Sequence, residues 1–544
     1  MKVFLTSFTA LLAVTLTSVR HVDAAGSSAT EEKPDEPQQR RRRDQGPPPI
    51  APEIGIVGAS IAALTPALAS YETPIQARFT HFYDSMWWNC IAVYSNDWLD
   101  SLTVARPTVV AQDESLYTTP NRALCGSQAI ATYNYLSVPG NRAPFVQAMA
   151  DIGVSVVDGI DSDLAACADE DIACYQEVAA DQGFSPEIMG HVVAKQLYDY
   201  SIKDGFNELG TDGGCVVSCR QFRDTTGYIP KNSPYDNGNR QKRGKKGQEQ
   251  NWEPLLEDDG FGFFYYQQHV TPHIGQKASF FALPEEERKY RVASPPTYSR
   301  KRRVEAREVI ERMAGLNDVK KMQVEVFDDK IRVLGAIIDS FIGKLLTEGY
   351  QDEELQQPNL VLSYERFINF VVGMTAAEMD SIIIAWKEKI NYDLIRPTSV
   401  IKSWGDKLIT TWAPGGGGVQ EFPARDFEAY IRVMPHSEYV SGSACIFEAL
   451  KDYVVGYMDL IGLDTTFPVA FPTIPAGSSS VEPGAVPETD LDLVYSDIET
   501  MADEGNDSRL DGGMHFDDSV PAAQELCSGI GTYAVDFANQ LLGK

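Results

Sequence analysis

The chain has 544 residues, of which 43% are apolar and 10% aromatic, a composition typical of a packed protein with a substantial core. It carries 77 acidic and 47 basic residues, giving a net charge of −30. Nucleic-acid binding is excluded as a function class, because contact with phosphate backbones needs a basic surface. The charge instead predicts an acidic, soluble surface.

The N-terminus has the pattern of a targeting signal. Lys2 precedes an apolar run over Val3–Val14, and small residues near Ala24 and Ala25 could be cleaved. We therefore expect residues 1–25 to be a signal peptide, with no membrane span and a secreted product. Residues 26–50 are polar and proline-rich, which predicts a disordered linker or propeptide; Arg40–Arg43 is either a processing site or a solvated charge run.

The eight cysteines all follow the predicted signal, and an even number in an oxidising compartment predicts disulfides. Cys167 and Cys174, like Cys215 and Cys219, are close enough in sequence to pair locally, although spacing cannot fix the connectivity. A zinc site at Cys215 and Cys219 is disfavoured because no second Cys or His pair stands nearby.

Hydrophobic periodicity predicts a mainly α fold, with one domain over residues 51–544. Amphipathic helices are expected within 79–99, 127–138 and 186–206, and again within 305–316, 330–346, 364–374, 377–395, 438–458 and 522–542. Residues 205–300, rich in Gly, Pro, Asn and aromatics, predict a long irregular segment of the kind that forms lids or channel walls. The helices of 360–544 predict a C-terminal bundle.

The first motif lies between Thr375 and Pro397. Thr375-x-x-Glu378 predicts a capping box, with a helix starting at Ala376 and ending at Arg396-Pro397. Lys389 and Arg396 are seven residues apart and would share one helix face with Trp386. A solvated helix face is the alternative interpretation.

The second motif is the turn Ser441-Gly442-Ser443, which leads into an apolar helical run. The first N–H groups of a helix lack intrahelical partners, and the macrodipole favours negative charge there, so the turn predicts an oxyanion site. A plain N-cap turn is the alternative.

The third motif contains Arg509 and His515, separated by "LDGGM". An arginine can bind oxyanion oxygens bidentately, and a histidine can coordinate a metal or attack phosphorus. A surface loop with an isolated histidine is the alternative.

Taken together, Lys389-x6-Arg396-Pro397, Ser441-Gly442 and Ser508-Arg509-x5-His515 resemble the signature of the vanadium-dependent haloperoxidase and type-2 phosphatidic acid phosphatase superfamily. The segments "DTTGYIPKNSP", "NWEPL", "QQHVTPHIGQKASFFAL" and "VEVFDDKI" are similar to the haloperoxidase branch. The resemblance covers most of the chain after about residue 75 and implies the helical-bundle fold of that superfamily.

The resemblance also implies a cofactor and roles for these residues. Vanadate, or phosphate in its place, would be bound by Lys389, Arg396, Ser441, Gly442 and Arg509. His515 would be the axial ligand of vanadium, or the nucleophile on phosphorus in the phosphatase branch. The implied partners are hydrogen peroxide, a halide and an organic halogen acceptor; a homodimer is left open.

Trp386 and His436 fall where haloperoxidases place residues associated with halide preference. This combination resembles the bromide-oxidising type and predicts bromide or iodide in preference to chloride. A hydrogen-bonded structural role is the alternative for His436.

Ser443 departs from the family motif Ser-Gly-His, whose histidine is the acid–base partner of bound peroxide. A serine hydroxyl does not titrate near neutral pH, and loss of a general acid–base group typically costs about 10²–10⁴-fold in rate. The alternatives are a slower haloperoxidase, one in which His436 moves the proton, an acid phosphatase, or an oxyanion-binding protein without turnover.

Two further expectations concern the surroundings of Arg509. A carboxylate should support its guanidinium, and either Asp328 or Asp329 could provide it. Asn506-Asp507-Ser508 is a glycosylation sequon, but we expect Asn506 to be unmodified because Ser508 would adjoin a buried pocket.

Overall fold

The computed structural model describes residues 51–101, 114–217, 219–234, 250–258, 261–292, 294–295, 300–348 and 363–543. The predicted signal peptide, the linker 26–50 and the Arg40–Arg43 run lie outside these residues. So do several parts of the segment 205–300, among them the basic run "NRQKRGKKGQ".

The described chain is mostly helical, as its periodicity predicts. Its α-helices are α1 (Pro52–Leu68), α2 (Thr73–Val93), α3 (Thr119–Leu136), α4 (Arg142–Asp151), α5 (Ser162–Ala166), α6 (Ile172–Asp181), α7 (Pro186–Ser201), α8 (Ile274–Lys277), α9 (Arg300–Ala314), α10 (Asp318–Asp328), α11 (Lys330–Glu348), α12 (Tyr364–Tyr392), α13 (Pro397–Lys402), α14 (Gly442–Leu460), α15 (Ile498–Asp511), α16 (Ser519–Cys527) and α17 (Ile530–Leu541).

Strands are few and short in the described residues. Three antiparallel pairs are formed by β1 (Leu256–Asp258) with β2 (Phe264–Tyr266), β3 (Leu408–Trp412) with β4 (Val419–Pro423), and β5 (Val469–Ala470) with β6 (Val494–Tyr495). No larger sheet joins them, so the core is built by helix packing.

Helix α12 is the centre of the molecule and packs against α2, α14 and α17. By length and composition it could cross a membrane, but its most apolar stretch is wholly buried inside the protein. This helix therefore acts as a core helix, surrounded by protein on every side.

The predicted bounds of this helix are wrong at both ends. It begins after Ser363, whose hydroxyl accepts a hydrogen bond from the Arg366 N–H at 3.1 Å. Thr375 lies in the middle of α12 and donates its hydroxyl to the Val371 carbonyl. The two predicted helices 364–374 and 377–395 are thus one, because tertiary burial continues the helix through a local capping pattern.

The C-terminal end of α12 is set by Asp393 and not by Arg396-Pro397. Asp393 has a left-handed backbone, with φ of 52°, and its N–H donates to the Lys389 carbonyl. Arg396 is the N-cap of the short helix α13. Lys389 and Arg396 therefore do not share a helix face, and a sharp turn brings them together instead.

All eight cysteines form disulfides, namely Cys90–Cys125, Cys167–Cys174, Cys215–Cys219 and Cys445–Cys527. The two local pairs are those that their spacing allows. Cys90–Cys125 joins α2 to α3, and Cys445–Cys527 joins the first turn of α14 to the end of α16.

The segment 205–300 is irregular in its described parts, apart from β1, β2, α8 and a short 3-10 turn. It is nevertheless fixed against α12. The buried carboxylate of Asp380 accepts hydrogen bonds from the N–H groups of Phe281, Ala282 and Leu283 at 2.7–2.8 Å. Several backbone donors on one carboxylate hold this loop as a wall against the core helix.

The final helical run, 522–542, is divided into α16 and α17 by Gly529, whose φ is 86°. The chain turns there, and α17 then packs on both α12 and α14. Gly531 permits this close approach, because a Cβ at that position would overlap the backbone of Tyr453 and Ala449.

We expect Gly531→Ala to lower the free energy of unfolding by about 1–3 kcal/mol, since the overlap with rigid backbone forces the helices apart. The matched control is Gly343→Ala in α11, where a Cβ meets nothing within 4 Å. This control should leave stability unchanged or raise it by about 0.5–1 kcal/mol, through the better helix propensity of alanine. Chemical denaturation of both variants gives the comparison, and equal stability would contradict the packing described here.

Candidate oxyanion site

The end of α12, the start of α13, the start of α14 and the turn after α15 meet at one cavity, which the start of α2 and the junction of α10 and α11 also line. It is lined by Thr73, Asp328, Lys330, Trp386, Arg396, Met434, His436, Gly442, Ser443, Ile446, Arg509, Met514 and His515. Three motifs that are far apart in sequence are thereby brought together.

The N-terminus of α14 forms one wall of this cavity. Ser441 is the N-cap, and its hydroxyl accepts from the Ala444 N–H at 3.3 Å. A Cβ on Gly442 would come within 3.3 Å of the Trp386 ring and 3.5 Å of the Lys389 side chain. Glycine therefore keeps the cavity side of this turn open, where the first N–H groups of the helix point.

Arg396 crosses the cavity and joins its two histidines. Its guanidinium donates to the carbonyls of His436 at 3.0 Å and Met514 at 2.9 Å. It also contacts His515 Nε2 at 3.2 Å and His436 Nδ1 at 2.9 Å. A guanidinium has only donors, so His515 Nε2 acts as an acceptor.

His515 is positioned by Glu438, which is fully buried. Its Nδ1 lies 3.0 Å from Glu438 Oε1, and the same oxygen accepts from the Phe516 N–H and from Ser519 Oγ. With Nδ1–H donating to the carboxylate, the lone pair of Nε2 is left on the side of Arg396. This is the tautomer that a metal-binding histidine needs.

The protonation states agree with this assignment. Burial, followed by the charge of Arg396, lowers the pKa of His515 to about 3, so the ring is neutral at neutral pH. For Glu438, burial alone would raise the pKa; the hydrogen bonds from His515 and Ser519 and the charge of Arg302 hold it at about 2. The pair is thus a neutral imidazole on an ionised carboxylate.

Arg509 is held from behind by Asp328. Its guanidinium contacts Asp328 Oδ1 at 2.9 Å and the Val324 carbonyl at 2.7 Å. Asp329 is instead the C-cap of α10 and accepts from the Arg332 N–H. Of the two carboxylates that the sequence left open, Asp328 is the one that supports Arg509.

Lys389 lies behind the turn that precedes α14. Its ammonium group donates to the carbonyls of Ser437, Glu438 and Val440. Burial, and then the charge of Arg396, lower its pKa well below the usual value. Lys389 borders Gly442 but does not line the cavity directly, so it acts on the site through this turn.

His436 packs against Trp386, with ring centroids 4.8 Å apart. Its Nδ1 lies 2.9 Å from the Arg396 guanidinium and 3.0 Å from the Ser437 carbonyl, so one tautomer of the neutral ring satisfies the donor and the other satisfies the acceptor. Burial, together with the charges of Lys389 and Arg396, lowers its pKa well below the usual value. His436 can therefore donate a hydrogen bond but is a weak base at neutral pH.

Ser443 lines the cavity in the first turn of α14 and is partly exposed there. Its hydroxyl can donate to or accept from a ligand in the cavity. It cannot titrate near neutral pH.

An oxyanion fits this arrangement. Lys389, Arg396 and Arg509 are each at most 2% exposed, and burial lowers the pKa of all three. Buried cations are costly unless they are paired, and in the described residues the nearby carboxylates are Glu438 and Asp328. A bound oxyanion would supply the missing negative charge, and His515 would supply one nitrogen ligand.

The described part of the chain contains no cluster of three or more His, Cys, Asp or Glu side chains suited to a metal ion. The site therefore does not resemble a cation centre with several protein ligands. Its donors suit an anion such as vanadate or phosphate, whose oxygens need N–H and ammonium groups.

The sequence analysis missed Glu438 and Lys330. Glu438 stands 77 residues before His515, and no spacing rule connects the two. Lys330 lines the cavity and donates to the carbonyls of Phe327 and Asp328, although "VFDDK" drew attention only to its acidic residues. Asn506 is 4% exposed and lies within α15, a position that does not suit a glycan.

Comparison with known proteins supports the same fold. The model of the VCPO second helical-bundle domain matches residues 369–544. An apo-type bacterial vanadium-dependent chloroperoxidase is 21% identical, with a TM-score of 0.70 over 86% of this chain and 94% of the other. A holo-type bacterial vanadium-dependent chloroperoxidase is 20% identical, with a TM-score of 0.70 over 87% of this chain and 93% of the other.

A bacterial vanadium-dependent iodoperoxidase is 13% identical, with a TM-score of 0.53 over 88% of this chain and 95% of the other. A comparison with curated protein sequences gives no match. The chain has the fold of the vanadium-dependent haloperoxidases, and its residues 369–544 match their second helical-bundle domain. The resemblance drawn from the three motifs is confirmed at this level.

We expect Glu438→Gln to weaken vanadate binding about 10- to 100-fold, since carboxylates that orient a ligating histidine typically contribute that much. The control is Glu482→Gln, a buried glutamate that binds Trp412 Nε1 and Lys321 away from the cavity. Equilibrium dialysis against orthovanadate measures both affinities. Equal binding by the two variants would contradict the positioning role of Glu438.

Proposed function

We propose that this protein is a secreted, vanadate-dependent haloperoxidase that oxidises a halide with hydrogen peroxide to hypohalous acid. The observation that carries the proposal is the neutral His515, whose Nε2 accepts a hydrogen bond from Arg396 at a cavity bordered by buried cations and a helix N-terminus. The haloperoxidase fold supports it. The four disulfides are compatible with secretion.

Vanadate would be held by Arg396, Arg509, Ser441 and the Gly442 N–H, with Lys389 acting through the turn and His515 as the ligand of vanadium. When bound, it supplies a Lewis acid that activates hydrogen peroxide toward a halide. The cations offset the negative charge of the oxyanion. Glu438 fixes the His515 tautomer, and Asp328 fixes the Arg509 guanidinium.

The residues around the cavity are poorly suited to proton transfer. Formation of hypohalous acid and water from halide and hydrogen peroxide consumes one proton. Ser443 can relay a proton by its hydroxyl but cannot store one. The buried His436 is neutral and bonded to Arg396, so it serves better as a hydrogen-bond donor than as a base. We therefore propose that turnover is slow.

For halide preference, we propose bromide or iodide over chloride. The support is the contact between the rings of Trp386 and His436, which both line the cavity. Free hypohalous acid, or an organic acceptor, would receive the halogen.

A second candidate is an acid phosphatase with His515 as the nucleophile. The observation in its favour is that Nε2 is unprotonated and lies in a cavity whose cations suit phosphate equally well. Against it stands Ser443, which leaves the leaving group without a titrating acid. An oxyanion-binding protein without turnover is the third candidate, and it rests on Ser443 alone.

Bromination by the vanadate-loaded protein tests the proposal. We expect bromide and hydrogen peroxide to brominate a phenolic reporter, and His515→Ala to abolish the reaction. Phosphomonoester hydrolysis is assayed in parallel without vanadate. Bromination no greater than in His515→Ala rejects the haloperoxidase, and hydrolysis that depends on His515 would favour the phosphatase.

Ser443→His should raise the bromination rate by about 10²–10⁴-fold if an acid–base group is what the site lacks. Ser443→Asn serves as the control, because an amide fills similar space and hydrogen-bonds but does not titrate. Steady-state kinetics over a pH series should show a new titrating group in Ser443→His only. Equal rates for the two variants would mean that proton transfer does not limit the reaction.

A further inference from the structure

A second cavity lies between α1, α2, α11 and α12, and it plays no part in the oxyanion site. Its wall is mainly apolar and includes Leu64, Trp87, Leu334 and Met374. Ligand pockets typically combine such a wall with a few placed polar groups.

Asp84 is the carboxyl group of this wall. It is 3% exposed, and its Oδ2 has no hydrogen-bond partner among the described residues. Burial raises its pKa to about 8. At neutral pH the group is therefore mostly uncharged and can donate as well as accept a hydrogen bond. An unpaired polar group is costly in an apolar wall, unless a ligand satisfies it.

The two cavities are neighbours with separate linings. Lys330 lines the oxyanion cavity, whereas the next residue, Ile331, lines the apolar one. Helices α2, α11 and α12 contribute to both. The apolar cavity contains no basic side chain among its described lining residues, so it offers an anion no counter-charge.

We propose that this second cavity is a binding site for a small, neutral, mostly apolar molecule with one hydroxyl or carbonyl group, which hydrogen-bonds to Asp84. The apolar body of the ligand would displace water from Leu334, Trp87 and Met374, and its polar end would pair with Oδ2. The site goes beyond the proposed function and does not depend on vanadate.

Calorimetric titration of the full chain with 1-hexanol at pH 7 tests the proposal. We expect saturable binding at one site, and binding about tenfold weaker in Asp84→Leu, the contribution of one hydrogen bond. Asp84→Asn should retain most of the affinity. Hexanoate should bind more weakly than 1-hexanol, because its charge is unpaired in this cavity.

A variant that fills the cavity and a control on the same helix separate a loss of binding from a loss of folding. Leu334→Phe should fill the cavity, keep the thermal stability and abolish binding of 1-hexanol. Leu345→Phe, on the same helix but fully buried and outside the cavity, should lower stability through overpacking. His515→Ala should bind 1-hexanol as well as the unaltered chain does. Absence of saturable binding, or binding that survives Leu334→Phe, would overturn the proposal and leave the cavity as a packing defect.

Discussion

The arrangement of the C-terminal half depends on positive charge held inside a core without matching negative charge. Lys389, Arg396 and Arg509 are all buried, and burial lowers the pKa of each. Such charge is unfavourable in a low-dielectric interior, and the protein limits its cost with backbone carbonyls, one fully buried carboxylate and Asp328. The remaining imbalance favours a negative charge in the cavity.

The loop before α14 holds two of these cations and also positions both histidines of the cavity. The loop before α14 turns three carbonyls toward Lys389, and the same loop carries Glu438 beneath His515. It also presents the His436 carbonyl and ring nitrogen to Arg396. One short stretch of chain therefore stabilises two cations and orients two histidines. Rigid packing of this kind fixes a site in advance of ligand binding.

Much of the fold could be predicted from the sequence, because hydrophobic periodicity is a local property of each helix. The candidate site residues could be predicted from the order and spacing of three motifs. The three motifs indicated Arg396, Arg509, His515 and the turn at Ser441. The bounds of α12 could not be predicted. Thr375-x-x-Glu378 satisfies the sequence rule for a helix start, but burial on all sides keeps this segment in the middle of a longer helix. Glu438 could not be predicted either, because its contact with His515 joins residues that are 77 positions apart in the sequence. The sequence could not show whether Asp328 or Asp329 supports Arg509, because this depends on the direction in which each side chain points at the end of α10.

The disulfide between Cys445 and Cys527 fastens the first turn of α14, four residues after Ser441, to the end of α16. The turn at Ser441 is therefore covalently tied to the part of the bundle that holds Glu438 through Ser519. The compartment in which the chain matures thus bears on the shape of the site. A chain folded in a reducing cytoplasm would lack this tether, and preparations from cytoplasmic and oxidising hosts are not equivalent samples of the same binding site.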